Sequence, residues 1–348
     1  MVAELQAPTL NGLERVKASG TVSVLALDGG NTWLKYSVAG APVQCIPAVI
    51  KELDTDVEEV EPTADLDSVV IDYEGSTFVI GALAESLGGV PVYQLGKPEY
   101  THLLFMASMS GVAEFSSCPV VEKLNILVPD NRKRQLENVW ESVSERIQGI
   151  KSFTVDGQMV QPQVRNVQFI SEGAPAYVWA KQNGLFSQYE RPGIKKVAIF
   201  DVGGGEATLQ VFDIQTGRPI WTDNQTLPGL KSLADTLAGK LKPYFRTTPD
   251  TAMLLRALHL EQRVYESDGQ VFDFTEQYEA ARKAWSKDVL QKMQGSGLFT
   301  AEFGGVVIVG GGAAHCGGIE KATSGRFVVA KHPEVNAQEV NAIAMLGM

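Results

Sequence analysis

Two aspartates, each followed closely by glycines, are the groups in this 348-residue chain best suited to handling a phosphorylated ligand. The first lies in VLALDGGNTWLKYSV, residues 24–38, and the second in VAIFDVGGGEATLQVFD, residues 197–213. In the first stretch Val24 to Leu27 reads as a buried strand that ends at Asp28. Gly29 and Gly30 turn the chain, and Leu34 to Val38 return as a second strand. Without a Cβ, such a turn can close its backbone on a ligand. Successive N–H groups then line a concavity suited to phosphate oxygens. Asp28 at its mouth is placed to hold a hydrated Mg²⁺, which takes one or two carboxylates together with substrate phosphates. Lys35 adds a point charge within reach of a phosphate.

The second stretch repeats the pattern. Val197 to Phe200 runs into Asp201, then Gly203, Gly204 and Gly205, and Thr208 to Phe212 returns. A third apolar strand, Val306 to Val309, enters Gly310, Gly311, Gly312 and Ala313. A strand–Asp–glycine–strand unit occurring twice, about one domain length apart, is an internal repeat. Two such hairpins facing each other could clamp one polyphosphate. Between them, Val164 to Ile170 reads as a strand, and Ser171 to Ala176 opens a helix reaching about Gln182. Glu172 at that junction is placed to orient a water; alternatively it complements the helix dipole.

The remaining chain must position these groups. Residues 1–20 read as a short extension, and residues 41–65 as irregular, with Asp54, Asp56, Glu58, Glu59 and Glu61 before Pro62. Ser68–Tyr73 and Thr77–Ile80 flank Glu74-Gly75 as a hairpin. Tyr100 to Phe115 has helical spacing but is apolar nearly all round, which predicts a core helix. Leu124–Val128, Phe153–Val155 and Gln158–Val160 read as strands, and Arg132–Ile147 as an amphipathic helix. In the second half, Pro219–Thr222 reads as a strand. Thr226–Leu241 is a turn and helix, Asp250–Leu260 and Phe274–Met293 are helices, Arg326–Ala330 is a strand and Pro333–Met348 a closing helix.

Composition sets limits. The length suffices for two domains with sizeable cores, and 44% hydrophobic residues is a globular content. No apolar run is long enough to cross a membrane, and residues 1–20 lack a secretory apolar core, so a cytoplasmic protein is expected. Cys45, Cys118 and Cys316 are too few and too scattered for a disulfide framework or a zinc site. The four histidines read as surface or internally satisfied. The net charge of −11 argues against a broad nucleic-acid surface. The best candidate for a local basic patch, Arg132, Lys133 and Arg134, reads instead as a solvated helix face.

The order of two phosphate hairpins and then strand–GGGA resembles the actin, DnaK-type chaperone and sugar-kinase superfamily over most of the chain. Val69 to Ala84, V-x-I-x-x-x-G-x-x-F-V-I-G-x-x-A, is similar to the small subdomain of plasmid-type bacterial actins of the ParM/StbA group. Val340-Asn341-Ala342-Ile343-Ala344 resembles their closing A-N-A-x-G motif, with Ala in place of the final Gly. Ser171 stands where these actins carry Pro before the Glu.

The resemblance implies an α/β, actin-like fold of two duplicated ribonuclease-H-like domains with a nucleotide cleft between them. The first domain would span 1–190, with a small subdomain at about 40–100 and closure by a C-terminal helix at 335–348. The second would span 191–334, with a helical subdomain at about 242–300. Asp28 and Asp201 would hold Mg²⁺ through water. Gly29, Gly30, Asn31, Thr32 and Lys35 would meet the β- and γ-phosphates, and Gly203, Gly204 and Gly205 the γ-phosphate. Gly229 would precede a nucleotide-contacting helix, and Gly310, Gly311, Gly312 and Ala313 would pass the α-phosphate and adenosine. Glu172 and Asp201 would position the attacking water. The implied cofactors are Mg²⁺ and ATP, with GTP as the alternative. The implied partner is the chain itself in a head-to-tail filament, with a DNA-bound adaptor protein, and neither direct nucleic acid nor membrane. The competing expectations are a small-molecule kinase or phosphohydrolase of the same superfamily and a peptide-binding chaperone; for the chaperone the chain ends too soon.

Overall fold

The computed structural model describes residues 16, 17, 19–38, 41–54, 67–129, 134–267 and 269–348, and the side chains of the helix at 134–147 from residue 138 onward. Most of the expected N-terminal extension, the acidic run beyond Asp54, Arg132, Lys133 and the side chain of Arg134 lie outside the described residues. The chain divides into two compact units, Met1–Pro175 with Asn341–Met348, and Ala176–Val340.

The strands of the first unit are β1 (Thr21–Gly29), β2 (Trp33–Val38), β3 (Gln44–Pro47), β4 (Val49–Leu53), β5 (Ser68–Tyr73), β6 (Ser76–Gly81), β7 (Val90–Pro91), β8 (Val120–Val128), β9 (Gly149–Ile150), β10 (Phe153–Val155), β11 (Gln158–Val160), β12 (Gln163–Val164) and β13 (Val167–Ser171). One sheet has the order β3-β2-β1-β8-β12-β9, with β13 also on β8. Its centre is parallel: β1, β12 and β13 all run with β8. That explains the unbroken apolar runs, since a strand covered on both faces has no solvent side to make polar. Helix Lys97–Ser108 covers the sheet, with Leu103 to Ser108 all buried. A continuation at Ser110–Ala113 completes the expected core segment.

The second sheet, β11-β10-β5-β6-β4-β7, contains the expected hairpin. Its turn residues Glu74 and Gly75 both have positive φ, 52° and 86°. That is the handedness that lets two residues join twisted antiparallel strands. The last eight residues return to the first unit, where Asn125 Nδ2 donates to the Met345 carbonyl at 2.6 Å. Met345 packs there with Ala26, Leu127 and Ile170.

The second unit holds β14 (Lys196–Val202), β15 (Glu206–Asp213), β16 (Gln225–Pro228), β17 (Val264–Ser267), β18 (Gln270–Asp273), β19 (Phe303–Val309) and β20 (Phe327–Val329). Its five-stranded sheet runs β16-β15-β14-β19-β20. Helix Leu230–Leu241 packs through Leu230, Leu233, Leu237 and Leu241, all buried, as their spacing predicts. Asp250 caps helix Thr251–His259, its carboxylate accepting from the N–H groups of Ala252 and Met253. Helix Thr275–Gly295 completes the helical part.

Several elements differ from expectation. Pro219–Thr222 is no strand: Pro219 makes one bridge to Phe212, and Trp221–Asp223 is a single 3-10 turn. The edge of the sheet is filled instead by β16, with Asn224 Oδ1 accepting from the Val211 N–H at 2.9 Å. The closing helix is only Val340–Met345. Ahead of it, the Asn336 side chain takes the Gln338 N–H and the Ala337 carbonyl takes the Gly310 N–H, so these groups are engaged outside any helix. The strand expected at Val164–Ile170 breaks into β12 and β13. The β17–β18 ribbon was not anticipated, although Asp268-Gly269 between V-Y-E-S and Q-V-F-D is a hairpin signal.

Candidate functional site

In the first unit, β1 and β2 pair antiparallel with Asp28 opposite Lys35 and Gly29 opposite Leu34. Directly opposed residues project to the same face. Lys35 Nζ accordingly donates to Asp28 Oδ2 at 2.7 Å, with side-chain exposures of only 10% and 6%. Removing one partner of a pair this deeply enclosed would leave the other charge buried without compensation. β1 also runs through Asp28 to Gly29, two residues beyond its apolar run.

The turn is tight. The Gly30 N–H donates to the Asp28 carbonyl at 2.9 Å, and a Cβ on Gly30 would lie 2.7 Å from the Trp33 carbonyl oxygen. Glycine at 30 is therefore demanded by the turn itself. Asn31 and Thr32 complete it, partly exposed. The Thr32 carbonyl accepts from the Ala48 N–H, but its Oγ1 is buried with no hydrogen-bond partner. Leaving such a group without a partner normally costs about 1–3 kcal/mol.

Glu172 sits on the same edge of the sheet. In register, Leu27 is opposite Ile126 and Ser171 opposite Val128, so β1, β8 and β13 end together. The carboxyl ends of parallel strands are where open α/β sheets take ligands. The Glu172 N–H extends the ladder by donating to the Val128 carbonyl at 2.8 Å, and Gly173, at φ 78°, turns the chain away.

Lys97 Nζ approaches Glu172 Oε1 at 3.4 Å. The stem of Lys97 passes the hairpin, since a Cβ on Gly29 would lie 3.8 Å from Lys97 Cε. Lys97 thus joins the glycine turn to Glu172, a role the sequence reading did not find. The available signal was a lysine at the start of a helix, against the helix dipole. Local disagreements of this kind concentrate at functional sites.

In the second unit, Asp201 is opposite Thr208 and Val202 opposite Ala207, leaving Gly203 to Gly205 in the turn. This hairpin is held by backbone. The Gly203 N–H donates to the Glu206 carbonyl at 3.1 Å. The N–H groups of Leu230 and Lys231, first in their helix, donate to the carbonyls of Gly203 and Gly204 at 3.1 and 2.7 Å. Two donors that a helix start leaves unsatisfied are so used within the protein. A Cβ on Gly229 would lie 2.7 Å from the Gly203 carbonyl oxygen, which requires glycine there.

The third glycine turn meets the same hairpin. β19 runs parallel to β14 with Val309 opposite Asp201. Gly310 has φ 90°, and a Cβ on it would lie 2.3 Å from Asp201 Oδ1. The Gly312 N–H donates to the Val202 carbonyl at 2.8 Å, and Gly311 lies against His259. Ala313 is buried at the start of the turn Ala313–Cys316.

Two residues behind this turn are structural. His315 Nε2 lies 3.0 Å from the Leu258 carbonyl and must donate to it, so Nδ1 accepts from the Tyr278 hydroxyl at 2.7 Å. Burial, with Arg263 nearby, lowers its pKa to about 4. Burial pushes the Cys316 thiol far up, leaving it an inert core group.

The first unit therefore gathers Asp28, Gly29 to Thr32, Lys35, Lys97 and Glu172. The second gathers Asp201, Gly203 to Gly205, Gly229 and Gly310 to Ala313. Among the described residues no three His, Cys, Asp or Glu side chains converge as a metal site. A cation held by many protein ligands does not fit this donor set, whereas Mg²⁺ held largely through its waters by one or two carboxylates does.

The architecture has known counterparts. No family model matches the sequence, and no curated protein does. Among solved structures, the native crystal structure of Ta0583, an archaeal actin homolog, matches at TM-score 0.73 with 16% identity, covering 93% of this chain and 98% of that one. The same protein in complex with ADP matches at TM-score 0.72 with 15% identity, over 93% and 97%. A 15-stranded ParM filament from Clostridium botulinum matches at TM-score 0.69 with 18% identity, also over 93% and 97%. The chain has the actin-like α/β fold, and its structural neighbours include plasmid-type ParM proteins.

Proposed function

We propose that the chain is a nucleotide-dependent, filament-forming actin-like ATPase that moves or segregates DNA through a DNA-bound adaptor protein in the cytoplasm. The observation that carries this reading is the repeated hairpin, Asp28 with Gly29-Gly30 and Asp201 with Gly203 to Gly205, set in an actin-like fold. Neighbours described as an ADP complex and as a filament support it.

In this reading Asp28 and Asp201 hold Mg²⁺ through water, and the ion when bound neutralises phosphate charge. The turn N–H groups of Gly29 to Thr32 and Gly203 to Gly205 receive phosphate oxygens, with the Thr32 hydroxyl gaining the partner it lacks. Lys35 pairs with Asp28 and presents a positive charge to the phosphates. Gly310 to Ala313 take the α-phosphate and nucleoside, and Gly229 lets the Leu230–Leu241 helix approach. Glu172, with Asp201, orients the attacking water. Phosphoryl transfer needs this kind of positioning and charge placement more than covalent chemistry. ATP is the expected nucleotide and GTP the alternative.

Phosphate release tests the assignment. Glu172→Ala and Asp201→Ala should each slow hydrolysis of Mg-ATP by about 100-fold or more while nucleotide still binds. Unchanged rates in both variants would remove these residues from the mechanism. Phosphate transfer that requires an added small-molecule acceptor would replace the ATPase reading by a kinase.

A further inference from the structure

We infer that Lys97 is a switch that reads the terminal phosphate of a bound nucleotide. It holds Glu172 while that phosphate is absent and releases it when the phosphate takes over the ammonium. The inference rests on the nucleotide reading above and names the residue that tells a triphosphate from a diphosphate.

The two lysines beside the first glycine turn are held with different firmness. Lys35 is locked to Asp28 at 2.7 Å, within the range of about 2.7–2.9 Å ordinary for such bonds. Lys97 Nζ stands 3.4 Å from Glu172 Oε1, a long contact for opposite charges, although the two side chains are only 15% and 21% exposed. An ammonium has three donors, and an ionised carboxylate has acceptor sites on both oxygens. Among the described residues the Lys97 ammonium meets no acceptor but Glu172, and the Glu172 carboxylate meets no donor but Lys97. Each can therefore change partner without breaking a bond elsewhere. The backbone beneath is fixed, since the Lys97 carbonyl accepts from the Thr101 hydroxyl at 2.7 Å. The ammonium is not fixed by its helix, whose N-terminus disfavours a cation.

Position decides the second partner. The Lys97 stem lies against the glycine turn, with Cε 3.8 Å from where a Gly29 Cβ would stand. Glu172 follows β13, where β1, β8 and β13 end together. The lysine thus joins the turn assigned to the β- and γ-phosphates to the carboxylate assigned to the attacking water. A terminal phosphate carries more charge and more acceptor oxygens than one carboxylate, so it wins the competition for the ammonium. A diphosphate presents no terminal phosphate, and Lys97 stays on Glu172. Freed of its cation, Glu172 has both oxygens available to accept from a water.

The test is equilibrium binding to the full chain with Mg²⁺ present. A non-hydrolysable β,γ-imido analogue of ATP is compared with ADP, each in competition with a fluorescent ADP. Lys97→Met keeps a stem against Gly29 and removes the charge. It should weaken the analogue about tenfold and ADP by less than about twofold, and Lys97→Arg should recover most of the loss. Glu172→Gln frees the lysine and should tighten the analogue about fivefold, but by less than about twofold in the Lys97→Met background, where there is no ammonium to hand over. Circular dichroism checks each fold, and Lys97→Gln replaces Lys97→Met if that variant melts early. Equal weakening of both nucleotides by Lys97→Met, or no weakening of either, overturns the switch and leaves the nucleotide reading standing. The same gain from Glu172→Gln in both backgrounds also overturns it, because simple relief of charge repulsion would then account for the gain. Wild type that binds neither these nucleotides nor their guanine counterparts overturns the nucleotide reading as well.

Discussion

The two glycine hairpins share a sequence pattern but are held in shape by different forces. In the first, charge does the holding: Lys35 crosses the ladder to a buried Asp28, and Lys97 spans from Gly29 to Glu172. In the second, backbone does it: a helix start donates to the carbonyls of Gly203 and Gly204, and Gly310 packs on the Asp201 carboxylate with no room for a side chain. A D-x-G turn therefore specifies the path of the backbone without specifying how that path is kept rigid. Both hairpins should be sensitive to the gain of atoms, at Gly30 and at Gly310, and the first in addition to the loss of the Lys35 charge.

The largest effect should come from Lys35→Met, which leaves a buried carboxylate unpaired. Urea unfolding should show a loss of about 3–5 kcal/mol, partly restored by adding Asp28→Asn. A loss near zero would mean that charge does not hold the first hairpin. Gly310→Ala should follow, combining a left-handed backbone with overpacking against Asp201, for about 2–4 kcal/mol by the same assay. If it is tolerated at full stability, the second hairpin is looser than its contacts imply.

A pH series probes the core behind the second turn. The folded His315 has its pKa lowered to about 4, from an ordinary 6.5. Above pH 6.5 both folded and unfolded forms are neutral there, and the histidine leaves stability independent of pH. As pH falls from 6.5 toward 4 the unfolded chain takes up the proton first, so stability is lost across that window, about 2 kcal/mol by pH 5. His315→Gln should flatten this dependence; an unchanged slope would assign it to other groups. The smallest effect should be Lys231→Met beside the second hairpin. Its pair with Asp235 is about half exposed, so unfolding should shift by less than about 0.5 kcal/mol. A loss as large as that of Lys35→Met would erase the contrast between the hairpins.

Much of this was legible in the sequence because apolar runs and glycine turns are local signals. Leu25 to Leu27, Val197 to Phe200 and Val306 to Val309 are each buried strand, with Val24 half-buried, and Glu172 follows a strand end as its position suggests. What escaped depends on partners distant in sequence. Lys97 acquires meaning only when its stem lies beside Gly29 and its ammonium beside Glu172, 75 residues away. The Pro219–Thr222 strand failed because β16 takes the sheet edge, a competition that no local propensity records. The closing helix was overextended because its periodicity says nothing of where the Ala337 carbonyl is used. The ribbon at Val264–Asp273 was legible from its Asp-Gly turn, but neighbouring helical periodicity overshadowed it.

The most direct measurement is pelleting and light scattering of the purified chain across concentration, with Mg-ATP, Mg-GTP, the diphosphates and EDTA. The account predicts assembly above a critical concentration with a triphosphate and Mg²⁺, filaments by electron microscopy, and disassembly as phosphate is released. A chain that remains monomeric under every one of these conditions would contradict it.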